Sequence, residues 1–247
     1  MFNPVFHTDS RQVPILSKAA IDALGERLIA EYCPSAMRIP SEIDIDDFAQ
    51  NHLSLRQDFQ YLSHCGGYLG MTVFNDTDRV IVFNPDNARA EYISAKAGTI
   101  IIDSSLLEPS KEHRYRYTMG HESGHGICHK GFYENIRNKI TDNAPLVRCR
   151  IDQAAVKKKP ASQWTSEDWM EWQANRLSSA ILMPRAMVRE VARSVEDELP
   201  ELHDIAAIAT VSQVFNVSNE AAQYRLLDLN LITSRVPVSV LLDFGVI

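Results

Sequence analysis

The chain has 247 residues, 45% hydrophobic and 23% charged, with a formal net charge of −7. Such a composition is that of an ordinary globular protein, long enough for one large domain or two small ones. The acidic balance argues against a general nucleic-acid binder, since phosphate contacts need Lys and Arg. No apolar run reaches the ~18 residues of a membrane-spanning helix, so no membrane role is expected.

Residues 1–12 lack the basic start and apolar run of a signal peptide. The four cysteines, at 33, 65, 128 and 149, have no paired spacing and read as reduced thiols. Both features lead to the expectation of a cytoplasmic protein. Residues 17–32 place Ile21, Leu24, Leu28 and Ile29 on one stripe and predict an amphipathic helix, ended by Cys33-Pro34-Ser35. A second, short helix is expected over 41–51, with Ile45, Phe48 and Ala49 inward. Strand patterns follow at 70–74 and 79–83, flanking the polar Asn75-Asp76-Thr77-Asp78, which reads as a hairpin turn; 99–103 is a further strand. The edge of such a sheet could hold an extended substrate by backbone hydrogen bonds, or the sheet could be core alone.

The densest chemical signal comes next. Residues 117–129 predict a helix containing His121-Glu122-Ser123-Gly124-His125, an H-E-x-x-H motif. Side chains four apart share a helix face, so both imidazoles can reach one tetrahedral metal ion, with Glu122 beside them to handle a water proton. Gly120, Gly124 and Gly126 are poor helix formers. Their presence near the histidines implies close approach of another helix or of a substrate backbone. A catalytic site also needs a third protein ligand. The position six beyond His125 is Gly131, so the metzincin spacing fails. Cys128 shares the face of His121 and His125 but sits on the same straight helix, and reads as a packing thiol. The remaining candidate is Glu171, on a second helix expected from Thr165 or Ser166 as N-cap to the stop at Pro184. Its bland alternative is a solvated surface carboxylate.

Between these helices, residues 130–163 are weakly patterned and carry eight basic residues against three acidic ones. Such an insertion could be a basic flap that favours an acidic substrate segment, or a solvated surface loop.

Tyr117-Thr118-Met119-Gly120-His121-Glu122-Ser123-Gly124-His125, then Glu171-Trp172-Gln173-Ala174-Asn175 and Ala180-Ile181-Leu182-Met183-Pro184, closely resemble the ImmA/IrrE metallopeptidases. Members share a phrase like F-T-x-A-H-E-x-G-H, then E-x-x-A-N and a trailing L-L-M-P. Arg38-Ile39-Pro40 with the acidic stretch after it, and residues 217–226, resemble the family's N- and C-terminal pieces. The likeness spans about residues 15–232. Gly120 stands where Ala is usual, Tyr117 where Phe is usual, and residues 130–163 are longer than the family leads one to expect. None of these departures touches a ligand position. The resemblance implies Zn²⁺ held by His121, His125 and Glu171, with Glu122 as the general base. It implies a zinc endopeptidase that cuts a repressor-like protein, often one encoded nearby. Asn175, one turn after Glu171, is a candidate to orient a ligand. His113, Tyr115, His129 and Tyr133 are near enough in sequence to be weighed as further site groups, and read as packing or second-layer residues.

The C-terminal part, 202–231, predicts helix, turn at Val217-Ser218, helix, an outline that imitates a DNA-binding motif. From 196 to 231, however, seven acidic residues face Arg225 alone, and recognition helices need basic side chains. Residues 236–247 read as a strand or an apolar tail. The expected architecture is α+β: a zincin-like metallopeptidase core, small sheet plus H-E-x-x-H helix, over 1–195 with the basic insertion at about 130–163. A helix-turn-helix-like segment, 196–247, would pack on that core. The alternatives to a protease are a non-catalytic, metal-containing partner-binding module and a DNA-binding regulator. An intact Glu122 argues against the first, and the acidic C-terminal segment against the second.

Overall fold

The computed structural model describes residues 4–137, 146–150, 160–195 and 202–243. In chain order the elements are α1 (Lys18–Tyr32), α2 (Ile45–Asp47), β1 (Arg56–Gln60), β2 (Tyr68–Val73), β3 (Thr77–Asn84), β4 (Arg89–Ala95) and β5 (Thr99–Asp103). Then come α3 (Glu112–Cys128), α4 (Lys130–Arg137), β6 (Leu146–Arg150), α5 (Ser166–Leu182), α6 (Arg185–Ser194), α7 (His203–Phe215), α8 (Asn219–Asp228) and α9 (Val238–Asp243). The class is mixed α+β. Two compact units are distinguished: Met1–Ser17 with Ile45–Ser178, and Lys18–Asp44 with Ser179–Ile247. Residues 18–44 thus group with the C-terminal helices, whereas the sequence division runs at residue 195. The apolar stripe of α1 explains the grouping: Ile21, Leu28 and Ile29 are fully buried, and α1 packs on α6.

In the first unit a four-stranded sheet has the order β1-β5-β2-β6, and β3 pairs with β4 separately. β1 runs parallel to β5; β2 is antiparallel to both β5 and β6, with Thr72 opposite Ile100 on one side and Val147 on the other. The hairpin predicted from 70–74 and 79–83 therefore does not form. Burial explains why. Gly70, Met71, Thr72 and Val73 are all buried, as is every residue of β5, so these strands bury both faces and take central places. In β3 only Val80 and Val82 are buried, while Arg79 and Ile81 are exposed. Such a one-faced strand pairs with the exposed β4. The turn between β3 and β4 uses local side-chain caps: Asn84 Oδ1 accepts from Asp86 N–H at 2.9 Å and Asn87 Oδ1 from Arg89 N–H at 3.1 Å. Asp76, in the predicted turn, instead accepts from the backbone N–H of Ala97 and from Lys96 Nζ, both at 2.9 Å. Leu62, Met71, Val73, Val80, Val82 and Ile101 form one apolar cluster spanning both sheets.

Within this unit α3 and the first turns of α5 approach closely. A Cβ on Gly124 would stand 3.1 Å from both Cα and carbonyl O of Ala174, and one on Gly120 would stand 2.6 Å from Ser178 Oγ. The close partner implied by the glycines is therefore a second helix. α5 starts on a reciprocal cap, Thr165 N–H to Asp168 Oδ2 at 2.8 Å and Asp168 N–H to Thr165 Oγ1 at 3.2 Å. The stretch 130–163 is not unpatterned: α4 and β6 lie in it. Its residues 138–145 and 151–159, with Lys139, Asp142, Asp152, Lys157, Lys158 and Lys159, lie outside the described residues, as do 196–201.

The second unit is helical. Asn216 takes the left-handed conformation (φ 49°) after α7, and Ser218 Oγ caps α8 by accepting from Ala221 N–H at 3.2 Å. Residues 238–243 form a helix rather than a strand: the Pro237 carbonyl accepts from Val240 and Leu241 N–H at 3.0 and 3.3 Å. Among the described residues, no helix is long and apolar enough to cross a membrane.

Candidate metal centre

His121 and His125 lie one turn apart on α3, and both are buried to about the last 1% of their surface. Their Nε2 atoms stand 3.0 Å apart. From α5, Glu171 brings Oε2 within 3.4 Å of His121 Nε2 and Oε1 within 3.3 Å of His125 Nε2. Among the described residues these three form the group able to hold a metal ion, with one donor atom each and all donors within 4.8 Å of one another. Ligands about 2.0–2.2 Å from a shared tetrahedral ion stand about 3.3 Å apart, so the donor set fits one. Chemistry agrees with spacing. Asn175 Nδ2 donates to the Glu171 carbonyl at 2.8 Å, which turns its Oδ1 toward His121 Nδ1 at 3.1 Å. His121 therefore carries its proton on Nδ1 and directs the bare Nε2 at the other donors. Burial holds His125 below the ordinary imidazole range, with attraction from Glu171 opposing it.

Glu122 is wholly buried beside this group, against β2. The Thr72 hydroxyl donates to its Oε2 at 2.5 Å, with the Glu122 carbonyl O at 3.1 Å. A Cβ on Gly70 would stand 2.6 Å from Oε1, so only glycine leaves the carboxylate its place. Oε1 is buried and makes no hydrogen bond to a described residue. Burial pushes the Glu122 carboxyl up to about 7, restrained by attraction from His121 and the Thr72 bond.

The sequence candidates part company here. His121, Glu122, His125, Glu171 and Asn175 come together. Cys128 is buried, its thiol pushed up to about 12 by that burial, and it is not in the donor group. His113 is exposed. The Tyr115 hydroxyl donates to Asp46 Oδ1, and Tyr133 stacks on Phe74 with ring centroids 4.4 Å apart. His129 sits behind the group, its Nδ1 2.9 Å from His125 Nδ1 and its Nε2 2.9 Å from Gln173 Oε1. Sequence reasoning missed Thr72, Gly70 and Gln173. Thr72 and Gly70 belong to a strand whose pairing it misassigned. For Gln173 a signal existed, an amide two residues beyond Glu171 on a buried helix.

Residues 79–227 match the family model described as the IrrE N-terminal-like domain, a peptidase domain. No curated protein sequence matches the chain.

Proposed function

The chain belongs to the ImmA/IrrE peptidase family, and from that premise we propose that it is a zinc-dependent endopeptidase with a zincin-like core. The observation that carries the reading is the convergence of His121 Nε2 and His125 Nε2, 3.0 Å apart, with the two Glu171 carboxylate oxygens, each 3.3–3.4 Å from one of them. Two imidazoles and a carboxylate form the donor set of many catalytic zinc sites. A zinc ion held there supplies a Lewis acid that acidifies water and polarises a peptide carbonyl. Glu122 takes the proton of the attacking water and hands it to the leaving amine. Thr72 ties down Oε2 and leaves Oε1 for that proton. The buried, poorly solvated carboxylate is a stronger base than a surface one. The substrate is a protein, and the family resemblance favours a repressor-type regulator encoded nearby.

Glu122→Gln tests the reading. The variant should keep one zinc per chain and its fold while proteolysis falls by about 10²–10⁴-fold. The assay is co-expression of the chain with products of neighbouring genes, followed by metal-dependent cleavage in purified form. Cleavage by Glu122→Gln at the parent rate would remove Glu122 from the chemistry.

A further inference from the structure

His125 has a second nitrogen that the proposed chemistry does not use, and the structure accounts for it through a buried chain of four groups. Gln173 Nε2 lies 2.6 Å from the Pro14 carbonyl. A carbonyl only accepts, so the amide is fixed with Nε2 toward Pro14 and Oε1 toward His129. An amide oxygen also only accepts. His129 Nε2, 2.9 Å away, must carry the proton. His129 is fully buried with an amide and an imidazole as its hydrogen-bond partners; a neutral imidazole carries one ring proton, which here is spent on the Gln173 oxygen, so its Nδ1 is bare. His125 Nδ1, 2.9 Å from it, must therefore donate. The consequence is a bare His125 Nε2, turned toward His121 and Glu171.

We propose that His129 and Gln173 are positioning residues: with the Pro14 carbonyl as anchor they lock His125 in the Nδ1–H tautomer and aim its Nε2 lone pair at the metal centre. This rests on the metallopeptidase reading for its purpose, but the tautomer itself does not depend on it. His121 reaches the same state through Asn175, a side chain on α5. His125 reaches it through a chain ending on the N-terminal segment. That segment is itself built to present Pro14: Asp9 Oδ1 accepts from Arg11 and Val13 N–H at 2.8 and 2.9 Å, and Ile15 N–H donates to the His7 carbonyl at 2.8 Å. The two imidazoles are thus held by independent supports, and each support decides which nitrogen stays free.

The test compares zinc affinity, by competition with a chromophoric chelator, for the full-length parent, His129→Phe, His129→Asn and Gln173→Met, with thermal melting to check folding. In the zinc-free parent, long-range ¹H–¹⁵N NMR reads the His125 tautomer. His129→Phe removes the acceptor and should weaken zinc binding by about 10–100-fold. His129→Asn keeps an oxygen near the Nδ1 position and should recover most of that loss, which a purely space-filling role would not predict. Gln173→Met should weaken binding by about 10-fold, because it frees His129 to exchange tautomers. His125 should carry its proton on Nδ1. Zinc affinity of folded His129→Phe within twofold of the parent, or a His125 proton on Nε2, overturns the proposal. If His129→Phe fails to fold, Gln173→Met and the tautomer decide. A parent that takes up no zinc overturns the metallopeptidase reading, while the His125 tautomer still decides for or against this one.

Discussion

Each compact unit takes ionisable side chains out of water, and the two do so in opposite ways. In the second unit Arg225, 2% exposed, donates from Nη1 to Asp22 Oδ1 at 2.7 Å and from Nε to the Met183 carbonyl at 3.1 Å. Donor meets acceptor there, and opposite charges meet. In the first unit His121 and His125 have their donors engaged behind them and turn bare nitrogens toward each other and toward Glu171. Acceptor faces acceptor, an arrangement that a bound cation would relieve. Burial alone therefore does not mark a functional site. Paired buried charge holds a fold together, while buried lone pairs that converge without a donor suit a ligand.

The contrast is sharpest if each cluster is broken. Glu171→Ala should have the largest effect. It removes the one anionic member of the donor group, and zinc content should fall from about one per chain to about none, with activity lost alongside. Metal analysis after gel filtration checks this, and full retention would take Glu171 out of the ligand set. Arg225→Met should act on stability instead. It takes the Arg225 guanidinium away from the buried Asp22 carboxylate and should cost about 3–5 kcal/mol in urea unfolding. Adding Asp22→Leu to that variant should recover much of the loss, since a closed pair can be replaced by apolar side chains of similar size. A double variant as unstable as the single one would mean that Arg225 and Asp22 do not balance each other.

A smaller effect separates the glycines of α3. Gly126→Ala meets nothing nearer than Leu55 Cδ1 at 3.5 Å and should stabilise the helix by up to about 1 kcal/mol. Gly124→Ala must push against the Ala174 backbone at 3.1 Å, and should destabilise by about 1 kcal/mol while weakening zinc binding, because α5 carries Glu171. Opposite signs for two equivalent substitutions in one helix are the expected result. Equal gains in a thermal melt would show that α3 and α5 have room to part.

What the sequence reveals follows the range of the interaction. His121, Glu122 and His125 are legible because the i, i+4 repeat is local, and the same repeat extends to His129. Helix α5 is legible through its cap at Thr165 and its stop at Pro184. The role of Glu171 came from resemblance, since nothing local marks that carboxylate. Misreading begins where distant strands decide. Residues 70–74 and 79–83 look alike in sequence, yet Thr72 sits between β5 and β6 with both faces covered, and Ile81 faces solvent. With β2 misplaced, the support of Glu122 by Thr72 could not be seen. For Gln173 the amide itself was visible, but not its anchor, because its partner Pro14 is 159 residues away.

The smallest expected effect concerns the helical outline that imitates a DNA reader. α7, the turn at Asn216 and α8 have the sequence order of such a motif. Its charge has the wrong sign, and the structure makes the deficit larger. Arg225, its single basic residue from 202 to 231, is buried in the pair with Asp22 and cannot reach a phosphate. The next one along, Arg235, lies over the Tyr224 ring at 4.7 Å and 3.6 Å from Glu220 Oε1. Phosphate binding draws on free cations and weakens steeply with salt. The protein alone should therefore give no gel shift with duplex DNA at physiological salt, and lowering the salt should not produce a specific band. Freeing Arg225 by Asp22→Asn should leave that result unchanged, because Glu220 and Asp228 stay on the same helix. Sequence-specific binding by the parent chain would mean that this unit reads DNA despite its charge, and that the Arg225–Asp22 pair serves more than the fold.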